Sequence, residues 1–223
     1  MNVIELKEIN KVFHGGEDTI ALRDVNLQIK QGEFVAIMGP SGSGKSTLMN
    51  IIGLLDSPST GEYKLEGHDV SRLSDKSQAK MRREKIGFVF QSFNLIPRMS
   101  LQQNVELPMI YDRIKPARRH QRAVAVLNKV GLGDRASYRV NQISGGQLQR
   151  AAIARALVNQ PSLILADEPT GNLDSKTGQV IMQLLTDLNH SGVTVIIVTH
   201  DLNIARFAKR LVHVKDGRIE SVE

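Results

Sequence analysis

Gly39-Pro40-Ser41-Gly42-Ser43-Gly44-Lys45-Ser46-Thr47 decides the fold, because it joins two stretches of different periodicity. Before it, Phe34-Val35-Ala36-Ile37-Met38 is a continuous apolar run, the pattern of a strand buried on both faces in a sheet covered by helices. After it, Thr47-Leu48-Met49-Asn50-Ile51-Ile52-Gly53-Leu54-Leu55 carries apolar residues at helical spacing. The nonapeptide fits G-x-x-x-x-G-K-[ST] in the strand–loop–helix setting that gives this pattern its meaning. Its glycines let the backbone curl until successive N–H groups point inward at phosphate oxygens. The helix that follows adds about half a positive charge at its amino end. Lys45 supplies a full charge to the outer phosphates, and the Ser46 hydroxyl can ligate Mg²⁺. Binding of a nucleoside triphosphate follows from residues 39–47; the reaction partner does not.

Outward from this loop the chain is α/β. Val3–Lys7 and Val25–Lys30 alternate as strands do, and a Gln31-Gly32 turn leads into the apolar run at 34–38. Beyond residue 147 a helix is predicted at Leu148–Asn159, a strand at Ser162–Ala166 and a helix at Lys176–His190. The last of these has Val180, Ile181, Leu184, Leu185 and Leu188 on one stripe. A strand at Val193–Val198 and a short helix at Leu202–Ala208 follow, then a hairpin of Leu211–Val214 and Arg218–Val222 turned at Asp216-Gly217. Strands alternating with helices imply a largely parallel sheet. From Ser71 to about Asn141 the chain is polar, helix-prone and punctuated by Pro97, Pro108 and Pro116. It reads as a mostly helical subdomain inserted into the sheet domain, and its basic clusters at 80–85 and 118–122 read as solvated faces.

Composition removes several alternatives. The chain of 223 residues has no cysteine, which excludes a disulfide framework, thiolate metal sites and cysteine nucleophiles. Its net charge of +6 suits anionic ligands, while 4% aromatic residues and no Trp supply few stacking platforms for single-stranded nucleic acid. The amino terminus does not read as a secretory signal, and no apolar run approaches the ~20 residues that span a bilayer.

Two further segments carry chemistry. Leu163-Ile164-Leu165-Ala166-Asp167-Glu168 ends an apolar strand in two carboxylates. Neighbouring strand side chains point to opposite sides, so beside a phosphate loop one suits a metal and the other an attacking water. Ser144-Gly145-Gly146-Gln147, at a helix start, offers free N–H groups, a capping hydroxyl and a helix dipole, which together make a second anion cradle. One nucleotide does not need two cradles in one chain. Two chains facing each other would use both.

This set resembles the nucleotide-binding subunit of ATP-binding cassette (ABC) transporters over essentially all 223 residues. Ile143 stands where the family's Leu-Ser-Gly-Gly-Gln signature has leucine. Gly87–Pro97 and Pro169–Asp174 resemble the subfamily of macrolide exporters and lipoprotein-release ATPases. The resemblance implies a single P-loop NTPase domain over 1–223, with a RecA-like α/β core, an antiparallel β subdomain and an inserted α-helical subdomain at about 92–142. It also implies roles. Phe13 would stack on adenine, Gly39–Thr47 would hold the phosphates, and Gln91 and Asp167 would join Ser46 at Mg²⁺. Glu168 would polarise the attacking water and His200 would contact the γ-phosphate. Ser144, Gly145, Gly146 and Gln147 would close the nucleotide of a second chain, and Asp174 would cross the dimer interface. The implied protein is an ATP-hydrolysing homodimer with ATP at the interface. It would lie on the cytoplasmic face of the membrane and energise separate membrane permease subunits, with no nucleic-acid partner. A groove for the permease is expected in Phe93–Pro108, with Leu95, Ile96, Met99 and Leu101. A mechanical regulator of a membrane protein is the alternative, and a soluble ATPase acting on nucleic acid or ribosomes ranks below it.

Overall fold

A computed structural model describes residues 1–16 and 18–223. Two long strands, β1 (Asn2–Phe13) and β2 (Thr19–Lys30), lead into β3 (Phe34–Met38), whose five residues are all buried. The glycine-rich loop then enters α1 (Lys45–Ile52), followed by β4 (Thr60–Leu65), β5 (His68–Asp69) and α2 (Asp75–Lys85). Next come β6 (Ile86–Phe90), α3 (Leu101–Tyr111), α4 (Pro116–Lys129) and α5 (Gly145–Leu157). The chain continues through β7 (Leu163–Asp167), α6 (Ser175–His190), β8 (Thr194–Val198) and α7 (Leu202–Ala205) to the hairpin β9 (Arg210–Lys215) and β10 (Arg218–Val222).

These strands form two sheets. One has the order β10-β9-β3-β8-β7-β6, parallel except for β10, and the other is antiparallel with the order β2-β1-β4-β5. Alternation along β3 divides the core. Phe34, Ala36 and Met38 pack with the helices α3 to α6, while Val35 and Ile37 pack with α1 and the antiparallel sheet. Covering both faces explains the unbroken apolar runs of the central strands. It also delivers the carboxyl ends of β6, β7, β8 and β3 to one crevice, since Phe90, Asp167, Val198 and Ile37 lie in one register.

Several sequence expectations need correction. The polar stretch 71–141 is not continuously helical, because β6 lies within it and extends the core sheet beside β7. Pro108 sits inside α3 instead of ending it, whereas Pro116 occupies the first turn of α4, where a missing N–H costs nothing. Helix α5 begins three residues before the predicted start, at Gly145. Val180 is 55% exposed and leaves the α6 stripe, which is carried by Ile181, Met182 and Leu185. In the segment Phe93–Pro108, Leu95 and Leu101 are core residues, while Ile96 is exposed. A cavity of about 530 Å³ lies between the sheet and the helical layer, lined by Arg82, Phe88, Phe90, Asn94, Tyr111 and Arg155 among others.

The terminal hairpin turns at Asp216-Gly217, both in the left-handed region (φ 48° and 76°), and this turn touches the phosphate loop. Gly217 N–H donates to Ser43 O at 2.9 Å, and Gly217 O accepts from Arg23 N–H at 2.8 Å. A Cβ on Gly217 would lie 2.8 Å from Ala21 O. Gly217→Ala is therefore expected to cost about 1–3 kcal/mol of stability through backbone strain, and to weaken ATP binding by displacing Ser43. A urea titration paired with nucleotide titration checks this; unchanged midpoint and affinity would show that the turn does not brace the loop.

Candidate active site

The phosphate loop is assembled for an anion. Gly44 precedes α1 without any side-chain cap, and the first turn of α1 contains no acid, which leaves its amides free. Lys45 Nζ donates to Gly39 O at 2.7 Å and Pro40 O at 2.6 Å, so its charge sits over the loop. Ser43 is 3% exposed, and its Oγ has no partner among the described residues. An orphaned buried hydroxyl, an ammonium and uncapped amides fit a polyphosphate.

At the end of β7 the two carboxylates diverge, as period-two geometry requires. Asp167 is half-buried. Its carboxyl is raised above the usual carboxylate range by burial and by the neighbouring Glu168 charge, partly offset by Lys45. A cation placed beside it would favour the ionised form. Glu168 has a left-handed backbone (φ 43°), and its N–H donates to Val198 O at 2.9 Å. Its Oε2 accepts from Thr199 Oγ1 at 3.0 Å, and its Oε1 accepts from His200 N–H at 3.0 Å. His200 Nδ1 lies 2.6 Å from the same Oε1; a carboxylate only accepts, so this ring nitrogen carries the proton. Lys45, Asp167, Glu168 and His200 thus share one crevice.

Gln91, directly after β6, donates from Nε2 to Asn172 Oδ1 at 3.2 Å, and Asn172 Nδ2 donates to Gln91 O at 3.0 Å. The buried Gln149 on α5 donates to Pro169 O at 2.6 Å, which ties the helical layer to the same turn. Asp174 caps α6. Its two carboxylate oxygens accept from Thr177 N–H at 2.9 Å and Thr177 Oγ1 at 2.6 Å, and these bonds hold its carboxyl below the usual range. Asp174, expected at the dimer interface, is within its own chain a helix cap.

The second cradle lies apart. Ser144 precedes α5, and its N–H donates to Gln147 Oε1 at 3.0 Å. Its side chain faces the Gln147 N–H, so the two residues form the capping box expected of them, although the hydroxyl makes no close hydrogen bond there. A Cβ on Gly146 would lie 2.4 Å from Thr177 Cγ2, so the starts of α5 and α6 are packed together. Ser144, Gly146, Gln147, Lys176 and Thr177 line a cavity of about 260 Å³ there. Among the described residues no hydrogen bond or ion pair joins 39–47 to 144–147. Phe13 is likewise separate, at the end of β1. It is 45% exposed, with Lys11 Nζ 4.9 Å from its ring centroid.

Among the described residues no group of three His, Cys, Asp or Glu is placed to hold a metal. Ser46, Gln91 and Asp167, the residues expected at Mg²⁺, offer a hydroxyl, an amide oxygen and one carboxylate, a chemistry that suits Mg²⁺ carried by substrate phosphates better than a self-contained metal cage. Thr199, Asn172, Gln149 and Thr177 were not found from sequence. The only local signal was Thr199 standing before His200 at the end of an apolar strand.

The chain is similar to known proteins over most of its length. The family model described as ABC transporter matches residues 22–171. The macrolide export ATP-binding/permease protein MacB of Marinobacter nauticus is 53% identical over 218 residues; the match covers 97% of this chain and 34% of that protein. The chain therefore spans about a third of that relative's length. The ABC transporter ATP-binding protein MJ0796 of Methanocaldococcus jannaschii is 54% identical over 227 residues, covering 99% of this chain and 97% of it. The dimeric structure of a post-hydrolysis state of the MJ0796 cassette, bound to ADP and Pi, superposes with a TM-score of 0.89 at 52% identity. That superposition covers 99% of this chain and 97% of the other.

Proposed function

Because this chain belongs to the ABC transporter family, we propose that it is the ATP-hydrolysing subunit that energises a membrane export or extraction complex, working as a head-to-tail dimer. The observation that carries this reading is the separation of two anion cradles, at 39–47 and 144–147, on one chain. Each would serve a different nucleotide, and a twin chain would supply the missing half of each pocket.

In this reading Phe13 stacks on the base, while Lys45 and the amides of 39–47 hold the phosphates. Ser46, Asp167 and Gln91 would hold Mg²⁺, which when bound neutralises charge on the phosphate oxygens. Glu168, fixed by Thr199 and His200, orients the attacking water and accepts its proton. The His200 side chain is 78% exposed; with Nδ1 donating to Glu168, its Nε2 would donate to the γ-phosphate once the ring is doubly protonated. Ser144 would complete the pocket of the opposing chain together with Gly145, Gly146 and Gln147. Hydrolysis rate per chain is expected to rise with protein concentration and to fall away on dilution; a rate that stays flat far below any self-association would overturn the shared-site reading.

Among the described residues no helix is long and apolar enough to cross a membrane. The chain would lie on the cytoplasmic face, held there by permease subunits. The cavity lined by Arg82, Phe88, Phe90 and Tyr111, where aromatic rings stand beside arginines, is the docking groove this reading requires. Tyr111 is 73% exposed there. Tyr111→Asp is expected to lower the membrane-bound fraction by about tenfold, an ordinary loss for an interface aromatic, with hydrolysis unchanged. Full retention on membranes would count against this groove.

A further inference from the structure

We infer that Thr199 is a positioning residue for hydrolysis, its hydroxyl fixing the Glu168 carboxylate against β3, the strand that carries the phosphate loop. The inference rests on Glu168 being the residue that orients the attacking water.

Thr199 is 0% exposed at the end of β8. Its backbone N–H donates to Ile37 O at 3.1 Å, two residues before Gly39, so its position is set by the strand that feeds the loop. Its side chain is equally determined. The hydroxyl has one proton and two lone pairs. Asp201 N–H donates to Thr199 Oγ1 at 3.1 Å, which occupies a lone pair. Glu168 Oε2, which only accepts when ionised, lies 3.0 Å away and takes the proton. The direction of the bond is therefore fixed from both sides.

Glu168 needs such a fix. A glutamate side chain rotates about three bonds, so its backbone alone does not place the carboxylate. His200 secures only Oε1, through its N–H and Nδ1. With one oxygen held, the group pivots; Thr199 holds the other oxygen and stops the pivot. Position matters here because a small displacement of a catalytic group costs rate without costing affinity. Valine has the shape of threonine but no hydroxyl. It would leave Oε2 without its donor and Asp201 N–H without its acceptor.

The test is single-turnover hydrolysis together with ATP binding, in Thr199→Val, Thr199→Ala and Thr199→Ser, each also made with Glu168→Gln. Removing the hydroxyl is expected to slow hydrolysis roughly 10- to 100-fold with ATP affinity within about twofold of the parent, the loss associated with a hydrogen bond to a charged group. Thr199→Ser should stay within about threefold of the parent, because it keeps the donor. In the Glu168→Gln background, Thr199→Val should add less than about threefold, since it acts through a group already neutralised. If the valine variant does not fold, the alanine variant decides. Parental rates in the variants lacking the hydroxyl, a serine variant as slow as the valine one, or a full additional loss beside Glu168→Gln would overturn the inference. A slow Glu168→Gln with a fast Thr199→Val would remove Thr199 alone; a fast Glu168→Gln would remove both Thr199 and the role of Glu168.

Discussion

Glu168→Gln is expected to slow steady-state hydrolysis by about 10²–10⁴-fold, the range over which a positioned general base acts, while ATP stays bound and the dimer accumulates. The glutamine carbonyl can still accept one of the bonds from Thr199 or His200, so the site keeps its shape. What disappears is the negative charge and with it the proton acceptor. Loss of that charge also removes the repulsion that, after burial, raises the neighbouring Asp167 carboxyl, and a polyphosphate is more easily held beside one anion than beside two. Binding is preserved or tightened, and the step that would separate the chains is blocked. Gel filtration with ATP should show the variant as a dimer at concentrations where the parent elutes as monomer. A monomer with nucleotide demonstrably bound would contradict this.

Lys45→Ala is expected to reduce turnover by about 10²–10³-fold or more, the usual cost of one preorganised donor at a site of developing charge. Lys45 supplies the only full positive charge within residues 39–47. Its ammonium rests on the half-buried Gly39 O and the exposed Pro40 O, carbonyls that water can reach at the loop's outer side. Stability should therefore change little while phosphate binding weakens. The pairing of a nearly unchanged melting temperature with lost turnover separates a phosphate contact from a structural lysine. Near-parental hydrolysis would remove the assignment of residues 39–47.

The sheet was legible because burial on both faces leaves a simple trace, as at Phe34–Met38 and Thr194–Val198. Strand β6 was hidden in the polar stretch that surrounds it. It is five residues long and includes Gly87, where a Cβ would lie 2.5 Å from Ala156 O on α5. That requirement for a small residue comes from a helix about 70 positions away, which local periodicity cannot register. Val180 shows the opposite error, since a 3.6-residue stripe continues past the edge of what the core covers. At the site, the phosphate loop and the adjacent carboxylates were legible because their spacing is local. Thr199 with Glu168, Asn172 with Gln91, and Gln149 with Pro169 are contacts between separate elements. Only the register of the parallel strands brings them together. The Asp174 cap was legible as well, since Asp-Ser-Lys-Thr before a helix is a cap pattern visible in the sequence.

A mixing experiment between two inactive variants tests the shared pocket most directly. Lys45→Ala disables the phosphate loop, and Ser144→Arg fills the second cradle; each alone should be inactive. In an equimolar mixture about half the dimers are heterodimers, and each of these contains one pocket built from the intact loop of one chain and the intact cradle of the other. The mixture should recover hydrolysis, up to about a quarter of the parental rate if the two pockets work independently. A mixture as inactive as its components, or a Ser144→Arg variant as active as the parent, would show that the second cradle closes no partner's nucleotide.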